Sequence, residues 1–214
     1  MKVHGVVCLK NVDYSEEDLI RFAERFGSEL VVLPKELSFN NKDPKYPPIA
    51  RIGNILLDGS LKDSAKEATV WHQDGNFWDP ADSYIFNFLH TRVLPDEGGD
   101  TWFIDILSSS EKFKAEQPEV YEALRKFRVR VETAKIPDFA PLIREGMDLR
   151  TSFHDVVHVH PFIEKELLFL SNPAHVIEEE NPPVSLQDLQ KYTIEQGLYK
   201  HAWAKGDMLI WDNV

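Results

Sequence analysis

One cysteine, Cys8, stands among 214 residues. A lone thiol excludes an intrachain disulfide and gives no basis for a cysteine-built zinc site. It agrees with a reducing, cytoplasmic setting. Long apolar runs are missing too: none approaches the roughly 18 residues of a membrane span. The first ten residues, MKVHGVVCLK, hold one short apolar run and then a charge, unlike a secretory signal. Positive charge is scarce, with 24 Lys plus Arg against 36 Asp plus Glu and a net charge of −12. Such a chain is repelled by phosphate backbones and anionic lipid, so it is expected to bind neither nucleic acid nor membrane. Internal repeats, low-complexity stretches and linkers are absent. What remains is ordinary for a globular protein, 43% hydrophobic and 28% charged. A chain of this length buries roughly 70% of its unfolded surface, so one domain over residues 1–214 is expected.

The order of elements predicts a mainly β domain with flanking helices. Gly5 to Lys10 reads as a strand. Ser15 is a good N-cap, with Asp18 three residues on. Leu19, Phe22, Ala23 and Phe26 then form one apolar stripe, stopped by Gly27. Glu29 to Leu33, Ile49 to Leu57, Tyr84 to Leu94, Asp100 to Ile106, Phe127 to Thr133 and Asp207 to Asp212 read as strands. Helices are expected over Gln117 to Phe127, with Pro118 at the first position, and over Ser185 to Gly197. Short strands dominate, which indicates a sandwich or barrel rather than a doubly wound sheet.

The residues with chemical promise are Trp71-His72-Gln73-Asp74. In extended chain, positions i and i+2 share a side, so His72 and Asp74 can face one metal ion. Together they make two-thirds of a 2-His-1-carboxylate triad, a donor set suited to Fe(II) that leaves positions open. With eight His and seventeen Asp in the chain, roughly 0.6 His-x-Asp pairs arise by chance. Alone, the pair has an ordinary meaning: a loop histidine hydrogen-bonded to its neighbour.

Further blocks follow in order. His4-Gly5-Val6-Val7 leads to a helix ending Phe26-Gly27. Trp71, His72, Asp74 and Phe77 make Trp-His-x-Asp-x-x-Phe. Pro95, Gly98, Gly99, Asp100 and Thr101 make Pro-x-x-Gly-Gly-Asp-Thr. His160-Pro161 precedes Leu168 to Asn172, and Gly206-Asp207 precedes Trp211-Asp212-Asn213. In these blocks the chain resembles the taurine and 2,4-dichlorophenoxyacetate dioxygenase family of Fe(II)/2-oxoglutarate enzymes. The resemblance implies a double-stranded β-helix, or jelly-roll. It implies that His72 and Asp74 bind Fe(II), that Thr101 holds the distal carboxylate of 2-oxoglutarate, and that Phe77 lines the substrate pocket. For Trp78, and for Thr101 and Phe77 read without the resemblance, core or strand packing is the ordinary meaning. The activity implied is oxidation of a small organic substrate by O2, with release of succinate and CO2. Halogenating relatives lack the carboxylate that Asp74 supplies, so hydroxylation is favoured.

In the family, Trp-Asp-Asn is followed by a second iron-binding His and then by an Arg for 2-oxoglutarate. The sequence ends at Val214, so neither lies within it. The expectation is a jelly-roll truncated at its C-terminus, with the chain as written lacking a complete site. His154, His158, His160, His175 and His201 match no ligand position of the family. Two other functions compete: a catalytically dead or fragmentary member that only binds, and a zinc or manganese sugar-binding cupin. Pocket loops are expected over Pro34 to Pro48, Asp58 to Ala68 and Lys135 to Asp155. Substrate identity and oligomeric state are not legible.

Overall fold

The computed structural model describes residues 5–27, 29–32, 43–61, 70–83, 85–135, 151–170, 176–178 and 181–214. The chain opens with strand β1, Val6–Leu9, and helix α1, Glu16–Ala23. A capping box starts α1: the Ser15 hydroxyl accepts from the Asp18 amide, and the Asp18 carboxylate accepts from the Ser15 amide. The helix ends at Ala23 with Glu24 as its cap, so Gly27 lies beyond its stop. Residues 29–32 form no strand and Val32 is exposed, which corrects the expectation for Glu29 to Leu33. Ile49 to Leu57 likewise forms turns, with a single bridge from Ile55 to Leu61. An apolar β-branched run needs a ladder partner to become a strand, and these runs have none beyond that bridge among the described residues.

Strands β2, Phe86–His90, and β3, Thr101–Ile104, come next. The positive φ angles of Gly98 and Gly99, +79° and +77°, make the tight turn before β3. Helix α2, Ile106–Glu116, starts at the last residue of the strand expected over Asp100 to Ile106. Its N-cap is Asp105, whose carboxylate accepts from the Ser108 amide at 2.9 Å. The serines of α2 work across its buried face: Ser109 donates to the Asp105 carbonyl, and Ser110 accepts from the Leu168 amide. There follow α3, Pro118–Leu124; β4, Arg128–Glu132; β5, Thr151–Asp155; β6, Val157–Val159; β7, Glu166–Leu168; β8, Val176–Glu178; α4, Leu186–Gln196; β9, Leu198–His201; and β10, Met208–Asp212.

All pairings are antiparallel. The sheets run β1-β10-β2, β3-β9, β5-β4-β8 and β6-β7. Helix α1 covers one face of the β1-β10-β2 sheet, with Phe22 and Phe26 on Phe88. The opposite face meets β3-β9 through Phe103 and Trp211, 5.5 Å between ring centroids. The main apolar core lies among α2, α3, α4 and the strands β4, β6 and β7, around Phe113, Tyr121, Leu124, Val129, Leu168 and Leu189. Each such buried side chain contributes about 1.5–3 kcal/mol. The fold is mainly β with few helices, as expected. No helix of the described residues is long and apolar enough to cross a membrane.

Candidate active site

His72 and Asp74 lie in an extended segment that enters a turn, outside any regular strand. The structure brings them together: His72 Nε2 is 3.4 Å from Asp74 Oδ1, with the side chains 34% and 40% exposed. His72 Nδ1 lies 2.7 Å from the Val70 carbonyl oxygen. A carbonyl only accepts, so Nδ1 carries the proton and the Nε2 of a neutral ring is a lone pair. That lone pair faces a carboxylate oxygen. Two acceptors this close repel unless a cation or a proton lies between them. One ion with bonds of about 2.1 Å touches both. The donor pair therefore fits a divalent metal.

The segment has no strand partner of its own, and side chains from the neighbouring strands hold it. Asn213, just past β10, accepts from the Asp74 amide at 3.2 Å and donates to the Asp74 carbonyl at 2.8 Å. Asn87, on β2, donates to Asp74 Oδ2 at 2.7 Å and to Asn213 Oδ1 at 3.2 Å. On the far side, Ser152 and His154 of β5 both bond the Asn76 carbonyl, at 2.9 and 2.7 Å. Phe77 is 7% exposed and belongs to the apolar core, with Trp78 tilted against it at 5.0 Å.

Thr101 begins β3, opposite His201 of β9. Phe103 lies two residues on, so it shares Thr101's face of the strand, and it meets Trp211. Trp211 pairs with Asn87. Thr101 and the Asp74 brace therefore face the same space between the sheets. The Thr101 hydroxyl accepts from the Trp203 indole at 3.0 Å, which leaves its own proton free to donate. Among the described residues Thr101 makes no hydrogen bond to His72 or Asp74.

The other histidines are engaged elsewhere. His154 stacks on Phe169 at 4.3 Å, and burial lowers its pKa. Burial, helped by His154 and His160, lowers His158 to about 4. His160 Nδ1 accepts from the Phe162 amide, so its Nε2 donates to Asp212 Oδ2 at 2.9 Å. His175 lies outside the described residues, as do 34–42, 62–68 and 136–150 of the expected pocket loops.

A second constellation was not expected from the sequence. Cys8, His201 and Asp207 form a three-donor group with ligand atoms within 4.8 Å of one another. Asp207 Oδ2 accepts from His201 at 3.0 Å, from the Ala204 amide at 3.0 Å and from the Lys10 ammonium at 2.8 Å. Burial alone raises the Asp207 carboxyl, but Lys10, Ala204 and His201 together hold it below the usual range. Burial, then the Asp207 charge, raises the Cys8 thiol. Lys10 already supplies the cation there.

A family model described as taurine catabolism dioxygenase TauD, TfdA family matches residues 1–214. The alpha-ketoglutarate-dependent 2,4-dichlorophenoxyacetate dioxygenase of Cupriavidus pinatubonensis is 27% identical over 234 residues, covering 100% of this chain and 77% of that enzyme. A taurine dioxygenase structure from Burkholderia xenovorans has a TM-score of 0.68 at 19% identity, covering 98% of this chain and 67% of that one. AAD-2, solved in complex with Mn(II) and N-oxalylglycine, has a TM-score of 0.64 at 21% identity, covering 98% of this chain and 72% of that one. The two solved structures share the fold.

Proposed function

The chain belongs to the taurine catabolism dioxygenase TauD, TfdA family, and from that membership we propose the roles of its residues. It is a 2-oxoglutarate-dependent dioxygenase that uses Fe(II) and O2 on a small organic substrate. We propose that His72 Nε2 and Asp74 Oδ1 are two of the protein ligands to the iron. Fe(II) held there with 2-oxoglutarate activates O2, which is the oxidant: one oxygen atom goes to succinate as 2-oxoglutarate loses CO2, and the other goes to the substrate. The Val70 carbonyl keeps the proton of the neutral His72 ring on Nδ1, which makes Nε2 the ligand atom. Asp74 places one negative charge against the metal, and its presence favours hydroxylation. Thr101 donates its free hydroxyl proton to the distal carboxylate of 2-oxoglutarate. Phe77, held in the core, closes the apolar side of the substrate space and excludes water. The domain proposed is one jelly-roll over residues 1–214, working in the cytoplasm without nucleic acid or membrane.

The observation that carries this reading is the 3.4 Å approach of His72 Nε2 to Asp74 Oδ1. Relatives that are enzymes over this whole span do not favour a binding-only protein. The test is Asp74→Ala in the full-length protein, with bound iron and succinate formation measured. Both are expected to vanish, and unchanged turnover would exclude Asp74 as a ligand.

A further inference from the structure

Asn87 and Asn213 take no part in the functions described so far, yet both touch Asp74. We infer that they are positioning residues, which present one chosen oxygen of Asp74 to the metal and turn the other away. The inference rests on the reading of Asp74 as an iron ligand.

The amide of Asn213 acts as a strand neighbour for a segment that has none. It accepts from the Asp74 N–H and donates to the Asp74 C=O, as the next strand of a ladder would. Only one orientation of the amide satisfies both backbone groups, because a flipped amide sets donor against donor and acceptor against acceptor. That orientation leaves Asn213 Oδ1 able to accept a second bond, which Asn87 provides at 3.2 Å. The other hydrogen of the Asn87 amino group goes to Asp74 Oδ2 at 2.7 Å. The carboxylate is thereby sorted: Oδ2 is held by a neutral donor, and Oδ1 faces His72 Nε2 at 3.4 Å. A neutral amide leaves the carboxylate charge intact, which a lysine in the same place would cancel. The brace also points one way. It favours one bond from Oδ1 over a chelate through both oxygens, and so leaves coordination positions for other ligands.

Asn213 is itself fixed. Its backbone N–H donates to the Ile85 carbonyl at 2.8 Å. Its neighbour Asp212 accepts from His160, which is 3% exposed, at 2.9 Å, and from the Val214 amide at 3.2 Å. The His160-Pro161 and Trp211-Asp212-Asn213 motifs thus meet in space, behind the ligand segment.

The experiment titrates Mn(II), and Fe(II) without oxygen, into the full-length protein and its Asn87→Leu, Asn213→Leu and Asp74→Ala variants. The melting temperature of each metal-free protein is measured alongside. Loss of an outer hydrogen bond of this kind weakens metal affinity by about 10–100-fold. That loss is expected for Asn87→Leu and Asn213→Leu with the protein still folded at the titration temperature, and Asn87→Gln, which keeps the amide donor, recovers part of it. Should Asn213→Leu fail to fold, Asn87→Leu decides, because its amide bonds side-chain oxygens and no backbone. Parent-like affinity in Asn87→Leu, with binding lost in Asp74→Ala, overturns the positioning role and leaves the ligand reading standing. Parent-like affinity in Asp74→Ala, or a parent that binds neither ion, overturns the ligand reading and this inference with it.

Discussion

Two clusters of metal-type donors occupy different parts of the same inter-sheet space, and they differ in one respect that decides their chemistry. Cys8, His201 and Asp207 have the better donor count and the deeper burial, with the Asp207 side chain 1% exposed. His72 and Asp74 are fewer and about a third exposed. The buried cluster carries its own cation: Lys10 meets Asp207 Oδ2 at 2.8 Å. At Asp74 the donor to Oδ2 is a neutral amide, and among the described residues no lysine or arginine pairs with it. A buried carboxylate with its ammonium in place is costly to strip of that partner, because a lone charge is left behind. A carboxylate supported by amides alone keeps its charge for an ion. Donor geometry therefore does not identify a metal centre until the charge already present is counted.

The most severe test of that contrast exchanges the two aspartates. Asp74→Ala is expected to remove iron and all measurable succinate formation while leaving the melting temperature of the metal-free protein nearly unchanged. Asp207→Ala is expected to do the reverse. It strips acceptors from the Ala204 amide, from His201 and from Lys10, and lowers stability by about 2–3 kcal/mol, with Fe(II) affinity kept. Loss of iron from Asp207→Ala at a temperature where it is folded would erase the distinction.

Acid probes a group outside both clusters, His158. Burial holds His158 at about 4, below the ordinary histidine value of 6.5. Above pH 7 both folded and unfolded chains carry it neutral, so stability is full. Below about 6.5 the unfolded chain takes up a proton that the folded chain refuses until about pH 4. Stability is thus lost as pH falls through that window, by roughly 3 kcal/mol at its end. Denaturant midpoints of the metal-free protein at pH 7.5 and pH 4.5 measure the loss. In His158→Leu the slope should flatten, and a slope unchanged by that substitution would move its origin elsewhere.

Lys10→Ala sharpens the comparison from the other side. With the ammonium gone, Cys8, His201 and Asp207 keep their donors and lose their cation. The variant is expected to bind one more Zn(II) than the parent, with Fe(II)-dependent turnover retained. Equal zinc stoichiometry in the two proteins would show that the missing charge is not what separates the clusters.

The smallest effect belongs to a site remote from both. Ser15→Ala removes the capping box of α1 and should lower stability by about 1 kcal/mol, seen as a small fall in melting temperature. Metal affinity should not move.

Features made within one turn or one strand were legible. The Ser15 cap is local and the structure holds it, while the stripe expected to run to Phe26 leaves the helix after Ala23, with Phe22 and Phe26 both still on Phe88. The His72-x-Asp74 spacing is local too. Features that need a distant partner were not legible. Ile49 to Leu57 has the composition of a strand but pairs only through Ile55 and Leu61. The strand expected over Asp100 to Ile106 stops at Ile104, because Asp105 caps a helix that begins at Ile106 and Ser110 of that helix accepts from the Leu168 amide. The lone cysteine gave no metal signal because its companions His201 and Asp207 come from the other end of the chain. Asn213 stood in a motif, but its partner Asp74 lies 139 positions away.

By itself the sequence determined which side chains this protein has to work with: one His-x-Asp pair, a Gly-Gly turn before a threonine, a single thiol and an excess of acid. Those follow from composition and short spacing, which the chain carries before it folds. Only the tertiary structure decided which oxygen of Asp74 faces His72, which amide holds the other, and that Lys10 meets Asp207. The reason is that hydrogen bonds between strands are assigned by register, and register is set by how the whole chain packs rather than by any one segment.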